Sequence, residues 1–311
     1  MRSLVFKLFQ KPIRKKGDSA MEEMDVMASE PAGKLESGEG ISEKIEKHMA
    51  SCFSWVFSSS HSRVDDRPEF LRLTSGVPHP MSNFVFRSRF SSQEVDTRIE
   101  EMIDFFKSKN LPVTWLVGPC CKPKDIGQHL VSHGLAWEVD VGGMTIDLRL
   151  MNEDLPVPEG ITIKRVANES DMEQYLIPFG KGFEFPDIVV DGWRKMDSSH
   201  GFGKRLQRAN YVGLMNGVPV SCTTLFKAFD LAGIYCVATV PEMRRKGVAT
   251  ALIVDALREA RDEGYESGLL QAKAMGASVY RRIGFVDQPC KISWYVWQPP
   301  GVAQHSTSQS P

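Results

Sequence analysis

The pattern of apolar residues over positions 234–257 predicts a buried strand, a basic turn and a helix. Ile234, Cys236, Ala238 and Val240 are expected on one side of the strand and Tyr235, Val237 and Thr239 on the other, so that both faces are mostly apolar, as in a central strand. Pro241 is expected to end the strand because it has no N–H to donate. From Val248 the apolar residues recur at helical spacing, and Gly264 is a suitable residue to follow the helix.

The rest of the chain divides into two groups of predicted elements, separated by a polar segment that contains two prolines. Before that segment the pattern predicts helices at 41–57, 93–109 and 124–133, and strands at 70–73, 83–89, 113–117, 137–141 and 144–148. After it come a strand at 161–166, a helix capped by Asn168, a variable stretch at 179–206, two strands around the turn Asn216-Gly217, and a strand at 268–272.

These groups predict two domains in a chain of 311 residues. The expected divisions are a disordered leader at 1–40, an amino-terminal domain at 41–151, a linker at 152–160, a second domain at 161–298 and a disordered tail at 299–311. The leader and tail are expected to be disordered because they are poor in aromatic residues and cannot bury enough apolar surface.

Composition restricts the class of protein. With 42% hydrophobic and 25% charged residues, the chain is typical of a soluble globular protein, and its apolar runs are too short to cross a bilayer. The formal net charge is −1, and the basic residues of the first sixteen positions leave an acidic remainder. Nucleic acid and membranes are therefore not expected partners. The basic start is consistent with an organellar targeting peptide, but a flexible leader on a cytoplasmic protein is the main expectation.

Cysteine and histidine spacing predicts no metal. The six cysteines form no C-x-x-C pair and the seven histidines form no H-E-x-x-H motif, so neither a zinc site nor a disulfide framework is indicated.

The basic turn between the strand and the helix predicted at 234–257 has residues that suit an anion-binding site. Arg244, Arg245 and Lys246 stand where the helix dipole is already positive and where carboxylates are usual. Gly247 and Ala249 let a ligand approach the backbone, and the free N–H groups of a first helical turn suit a pyrophosphate. A solvated basic turn with a chance glycine is the alternative.

A second motif makes the pattern specific. PEMRRKGVA is followed by a helix, a strand and then QAKAMGASVYRRIGF, which includes G-x-x-x-Y-R-R-I-G-F at 276–285. Together these segments resemble the GNAT superfamily of acyl-CoA-dependent N-acyltransferases. The resemblance covers about 160–297 and implies an α+β fold, in which a mostly antiparallel mixed sheet is flanked by helices.

The amino-terminal group resembles a degenerate GNAT-like domain, so that the whole chain would hold tandem GNAT-like domains. LVSHGL at 130–135 stands where YRRIGF stands in the second half, but the turn before the preceding helix reads FRSRFSSQEVDTR and lacks the glycine. An unrelated α+β accessory domain is the alternative.

The resemblance also implies roles for particular residues. The strand backbone would pair with the pantetheine arm, the turn and first helical residues would bind the pyrophosphate, and a tyrosine would serve as the acid for the leaving thiolate. The strand residues are Val237, Ala238 and Thr239. The turn and helix residues are Arg244, Arg245, Lys246, Gly247, Val248, Ala249 and Thr250, and the acid is Tyr280.

Two parts of the site are not specified by the family pattern. Where many relatives have Asn or Ser after the last motif strand, this chain has Ala272, Lys273 and Ala274, and Lys273 could instead meet a coenzyme phosphate. A general base is not evident, and the regional candidates are Glu184, His200, Asp230 and Tyr235.

The sequence thus predicts an N-acyltransferase that uses acetyl-CoA as co-substrate, without a metal, and transfers the acetyl group to an amine by direct attack in a ternary complex. The acceptor and the oligomeric state are not specified. The alternatives are a non-catalytic acyl-CoA sensor or scaffold, and an aminoacyltransferase that uses charged tRNA.

Overall fold

The computed structural model describes residues 39–203 and 206–300. Seven helices lie in these ranges: α1 (Glu39–Phe57), α2 (Val95–Lys107), α3 (Ile126–Ser132), α4 (Glu169–Phe183), α5 (Asp187–Ser198), α6 (Val248–Asp262) and α7 (Ala277–Ile283). The predicted leader lies outside the described residues apart from positions 39 and 40, which are helical, and the predicted tail apart from 299 and 300.

Eleven strands are described. They are β1 (Arg63–Asp66), β2 (Leu71–Thr74), β3 (Asn83–Phe86), β4 (Val113–Val117), β5 (Ala136–Asp147), β6 (Ile161–Arg165), β7 (Arg208–Met215), β8 (Val218–Ala228), β9 (Leu231–Thr239), β10 (Ser267–Ala272) and β11 (Val286–Trp297).

All eleven strands form one mixed sheet with the order β1-β2-β3-β4-β11-β5-β10-β9-β8-β7-β6. The pairs β3–β4 and β9–β10 are parallel and the other pairs are antiparallel. The two central strands are exchanged between the halves, because β5 lies against β10 and β11 lies against β4. The amino- and carboxy-terminal groups of elements therefore share one continuous sheet.

The predicted linker is attached to the carboxy-terminal half. Glu153 forms ion pairs with Arg258 and Arg261 of α6, at 2.8 and 2.5 Å. The backbone N–H of Asn152 donates to the carbonyl of Ile283, the last residue of α7, at 2.9 Å. The boundary at 152–160 stays a prediction about domains, but the segment itself lies against the helices that follow it.

Most predicted elements are present, with four differences. The two strands predicted at 137–141 and 144–148 are one strand, β5, because Gly142 and Gly143 continue the ladder with β10 instead of turning. A Cβ at Gly143 would stand 2.8 Å from the side chains of Ile45 and Cys290, so the glycine allows close packing there. Strands β1 and β11 lie in segments for which no element is predicted, and α5 lies in the variable stretch at 179–206.

Helices cover both faces of the sheet. On one face α1, α4 and α5 pack with residues of β9 such as Tyr235 and Ala238; this is called the α1 face below. On the other face α6 and α7 pack with Ile234, Leu270 and Ala272; this is called the α7 face. The apolar stripe predicted for α6 is confirmed, since Val248, Ala251, Leu252, Ala256 and Ala260 are all buried. None of the described helices is both long and apolar enough to cross a membrane.

Candidate functional site

Strands β9 and β10 separate and leave a notch in the sheet. Their parallel pairing runs only from Leu231 opposite Ser267 to Ile234 opposite Leu270. Beyond that point β9 continues to Thr239 along β8, and β10 continues to Ala272 along β5. Each strand keeps its outer partner, so the facing edges of residues 235–239 and 271–272 are free of a neighbouring strand. These edges form what is called the notch below.

A bulge in β9 shapes one edge of the notch. The register with β8 shifts between the pairs Thr224–Tyr235 and Cys222–Ala238, and Cys236 has a φ of 50°. The prediction that every second residue from 234 to 240 shares one side is therefore wrong. Ile234 packs on the α7 face, whereas Ala238 packs on the α1 face, because the extra residue of the bulge reverses the alternation.

The turn after β9 brings the N-terminus of α6 to the end of the notch. Pro241–Met243 form a 3-10 turn, and Gly247 takes the N-cap position with a φ of 78°, which a glycine adopts without strain. The N-cap makes no side-chain hydrogen bond, and the first turn of α6 holds no acidic residue. The first N–H groups of α6 are thus available to an anion without competition from the helix's own side chains.

The three cations of this turn are exposed but do not have the same surroundings. Arg244 is engaged with the protein: its Nε donates to the carbonyl of Thr239 at 3.2 Å and its Nη2 to the carbonyl of Gly182 at 3.0 Å. Lys246 lies 3.6 Å from the sulfur of Met243. All ten residues predicted to bind the coenzyme are brought together where β9 ends and α6 begins.

Tyr280 lies on α7, on the opposite face of the notch from α1. Its ring packs against Phe285 at 6.1 Å between centroids, beside the same apolar cluster that Val237 contacts. Burial raises the pKa of Tyr280 to about 12. Among the described residues, its hydroxyl makes no hydrogen bond. It is therefore neutral at ordinary pH and can donate to a ligand.

Three of the four regional candidates for a general base are either exposed or engaged in packing. Glu184 is exposed at the end of α4, and Asp230 is exposed in the turn between β8 and β9, at the opposite end of β9 from the basic turn. His200 stacks on Trp55 with 3.9 Å between ring centroids. Burial lowers the pKa of His200, and its role there is packing between α1 and α5.

Tyr235 is at the base of the notch, where it forms a buried hydrogen bond that the sequence did not indicate. His48 of α1 is fully buried, with Nδ1 2.8 Å from the Tyr235 hydroxyl and Nε2 3.2 Å from the Leu231 carbonyl. Burial raises the pKa of Tyr235 well above its usual range and lowers that of His48 to about 4. No local signal in the sequence links α1 to this strand, because the contact spans 187 positions.

Gln271 is a second residue that sequence reasoning missed. It follows the last β9–β10 pair on β10, and its side-chain nitrogen is buried with no hydrogen-bond partner in the described part of the chain. Period-two alternation after Leu269, which packs on the α1 face, could have indicated where this side chain points. Lys273, two residues later, is exposed.

The corresponding position in the amino-terminal half is closed. Strands β3 and β4 are also parallel, but the chain after β4 returns to pair with the chain after β3, where Lys122 N donates to the Ser88 carbonyl at 2.8 Å. The Trp115 indole donates to the Ser88 hydroxyl at 2.8 Å, and Trp115 is fully buried. The helix that follows, α2, has Glu94 at its N-cap and Asp96 in its first turn. These residues fill the gap and place negative charge where the other half has cations.

Comparison with known proteins agrees with this geometry. Residues 163–286 match the family model described as "Acetyltransferase (GNAT) domain". The carboxy-terminal half of the chain is therefore a GNAT acetyltransferase domain, as the two motifs predicted. No curated protein matches the chain in sequence.

Solved structures extend the likeness in fold to both halves. A GCN5-related N-acetyltransferase from Kribbella flavida superposes with a TM-score of 0.63 at 17% identity, covering 83% of this chain and 96% of that one. One from Sphaerobacter thermophilus gives 0.56 at 16% identity, covering 76% and 83%. A tandem GNAT protein from the clavulanic acid biosynthesis pathway gives 0.51 at 12% identity, covering 80% and 87%. The predicted tandem GNAT-like fold, with a mixed sheet flanked by helices, is confirmed.

Within the described residues, no three histidine, cysteine or acidic side chains are grouped in a way that could hold a metal ion.

Proposed function

We propose that this protein is an N-acyltransferase that transfers the acetyl group of acetyl-CoA to an amine by direct attack in a ternary complex. The observation that supports it most is the notch itself. Its open end meets the uncapped start of α6, so a pantetheine arm between the strands would place its pyrophosphate at the positive end of that helix.

The two edges of the notch supply groups for the thioester. The backbone of Val237, Ala238 and Thr239 would pair with the pantetheine, and an N–H among them would stabilise the negative charge that develops on the carbonyl oxygen. The bulge supports this assignment because the backbone of β9 departs from regular pairing with β8 just before these residues. Glycine at 247 and the residues from Arg244 to Thr250 would hold the pyrophosphate.

The pKa of Tyr280 decides how this residue would act. Burial raises the pKa of a phenol and of a thiol alike, and a phenol is the weaker acid of the two in water, so Tyr280 is expected to stay the weaker acid beside a coenzyme thiol. Tyr280 would therefore stabilise the departing thiolate by donating a hydrogen bond while keeping its proton. The thiolate would then take its proton from solvent.

The reaction balances without a protein base. The amine nitrogen attacks the carbonyl carbon, the carbon–sulfur bond breaks, and the nitrogen loses one proton to solvent while sulfur gains one. His48 is a poor proton acceptor for the amine, even through Tyr235, because a histidine with a pKa of about 4 is not readily protonated at neutral pH. The acceptor amine would thus enter in its neutral form.

Mass spectrometry of products, together with free-thiol release from acetyl-CoA in the presence of a panel of amines, tests this proposal. The expected result is an acetylated amine formed in equal amount to free coenzyme A. A protein that is stabilised by acetyl-CoA but releases no thiol with any amine would instead be a non-catalytic acyl-CoA sensor.

A further inference from the structure

The α1 face of the notch carries a pair of polar side chains. On β10, Leu269 packs on the α1 face and Leu270 on the α7 face, so alternation puts Gln271 on the α1 face, together with Tyr235 of β9. Gln271 is paired with Gly143 of β5, over which α1 lies closely. The amide of Gln271 and the hydroxyl of Tyr235 therefore stand on facing edges of the notch, both beneath α1.

The hydrogen bonds of His48 fix the direction of the Tyr235 hydroxyl. A carbonyl oxygen can only accept, so Nε2 of His48 carries the proton and donates to Leu231, and Nδ1 can only accept. The Tyr235 hydroxyl must therefore donate to Nδ1. Its oxygen then has only lone pairs left for any other partner.

This arrangement selects the orientation of the Gln271 amide. The NH₂ group, and not the carbonyl, is the compatible neighbour for an oxygen that has already donated its proton. Gln271 lowers the pKa of Tyr235 against the larger effect of burial, as a nearby donor does. The contact is longer than an ordinary hydrogen bond, because the buried nitrogen has no described partner within normal hydrogen-bonding distance. An NH₂ group also carries two N–H donors, so at least one of them is left unpaired here. An unpaired buried donor is unfavourable, so a ligand oxygen placed there would be bound.

We propose that Gln271 is a specificity-determining residue, whose side-chain N–H donates to an oxygen that the acceptor carries beside its amino group. His48 is a positioning residue that acts through Tyr235. The inference rests on the proposed function, in which sulfur leaves towards Tyr280 on the α7 face and the amine approaches from the α1 face. The preferred acceptors are then amines with a neighbouring hydroxyl, carbonyl or carboxylate oxygen. It follows that the amino-terminal half contributes to the acceptor site of the other half through α1.

Ethanolamine and propylamine test this proposal, because they have the same number of heavy atoms and differ in one oxygen. The quantity measured is the ratio of their kcat/KM values with acetyl-CoA as donor. The two amines differ in basicity, so each kcat/KM is expressed per neutral amine. On that basis the wild-type protein is expected to favour ethanolamine by roughly tenfold or more, since propylamine leaves the buried N–H unpaired. Gln271→Met keeps the length of the side chain and removes its N–H, and is expected to bring the ratio close to one with the KM for acetyl-CoA unchanged. The same comparison applies to the best acceptor of the amine panel and its deoxy analogue.

Two further variants separate this role from a merely structural one. Gln174→Met makes the same exchange on α4, where another glutamine has a buried unpartnered atom, and is expected to keep the wild-type ratio. Tyr235→Phe retains the ring and removes the hydroxyl, and is expected to lower the ratio in the same direction as Gln271→Met.

Each outcome bears on a different part of the proposal. An unchanged ratio in Gln271→Met, or an equal fall in Gln174→Met, overturns the role of Gln271 while leaving the acyltransferase proposal intact. An unchanged ratio in Tyr235→Phe overturns the positioning role of His48. A wild-type protein that releases no thiol with any amine overturns the proposed function and this inference with it.

Discussion

Gly182 of α4 lies directly against Ala238 of β9, so closely that a Cβ at Gly182 would stand 2.8 Å from the Cβ of Ala238. The same Cβ would lie 3.1 Å from the backbone nitrogen of Thr239. Arg244 reaches back from the basic turn and donates to the Gly182 carbonyl. The last turn of α4 is thus held between the edge of the notch and the turn, and its position is coupled to both.

Gly182→Ala is expected to destabilise the protein and to weaken acetyl-CoA binding. The added methyl group overlaps Ala238 and a backbone atom that cannot easily move, so α4 must shift. Gly180→Ala is the matched control. It gains the same helix propensity, about 1 kcal/mol, and its methyl group meets only a side-chain methyl of Val190 at 3.0 Å. In urea denaturation, Gly182→Ala should be less stable than Gly180→Ala by about 1–3 kcal/mol. Equal stability of the two variants would show that the contact with β9 imposes no constraint.

Gly247→Glu is expected to abolish the rise in Tm that acetyl-CoA produces. Binding only to the folded state stabilises it by mass action, and a carboxylate at the start of α6 would repel the pyrophosphate and fill the approach to the backbone. Gly217→Glu is the control, because Gly217 has a similar φ of 82° in an open turn between β7 and β8. Both variants carry the same charge and the same strain, and only Gly247→Glu should lose the response to acetyl-CoA. Loss of the response in both would remove the assignment of the turn.

Tyr280→Phe is expected to lower kcat by about 10²-fold and to leave acetyl-CoA binding nearly unchanged, because the ring remains and only the donor to the thiolate is lost. The wild-type rate should show no decline up to about pH 10, since the pKa of about 12 keeps the hydroxyl protonated there. Rates measured from pH 7 to 10, with dissociation constants from calorimetry, check both statements. A variant with full turnover would show that the thiolate leaves without this hydrogen bond.

The sequence predicted the carboxy-terminal half well because its signals are local. The glycine before α6, the proline after β9 and the apolar stripe of α6 each act within a few residues. Strand exchange was not predictable in this way. Nothing near Gly142 and Gly143 shows that β5 will pair with strands more than a hundred positions later, so two glycines were interpreted as a turn.

The acceptor side of the notch was missed for the same reason. A prediction from period two assumes that side chains alternate between the two faces along the whole strand. The bulge at Cys236 breaks that alternation in β9. His48 belongs to a helix that the pattern assigned to the other half, and its contact with Tyr235 exists only because α1 lies across the shared sheet. Side chains that act through such distant pairing leave no spacing signal in the chain.

The stability of the protein is expected to fall between pH 6.5 and pH 4 in a way that depends on His48. The residue is buried and its neighbours are Tyr235, Phe226 and Phe229, which carry no charge at these pH values. Burial lowers the pKa of His48 from 6.5 to about 4, so in this range the unfolded chain binds the proton more readily than the folded one.

The sign and size of the effect follow from that difference. Stability from the neutral, hydrogen-bonded His48 is fully present above about pH 6.5, is lost progressively as the pH falls towards 4, and amounts to about 3 kcal/mol below both values. At pH 5 the loss is about 2 kcal/mol. His48→Gln can still accept from Tyr235 and donate to Leu231 but does not titrate, so it should lose less stability on acidification. His200, whose pKa is also lowered by burial, is present in both proteins and cancels in the comparison. Urea denaturation of both proteins at pH 7.5 and pH 5 measures how much unfolding free energy each loses on acidification. An equal loss in the two proteins would mean that the pKa of His48 does not change on unfolding.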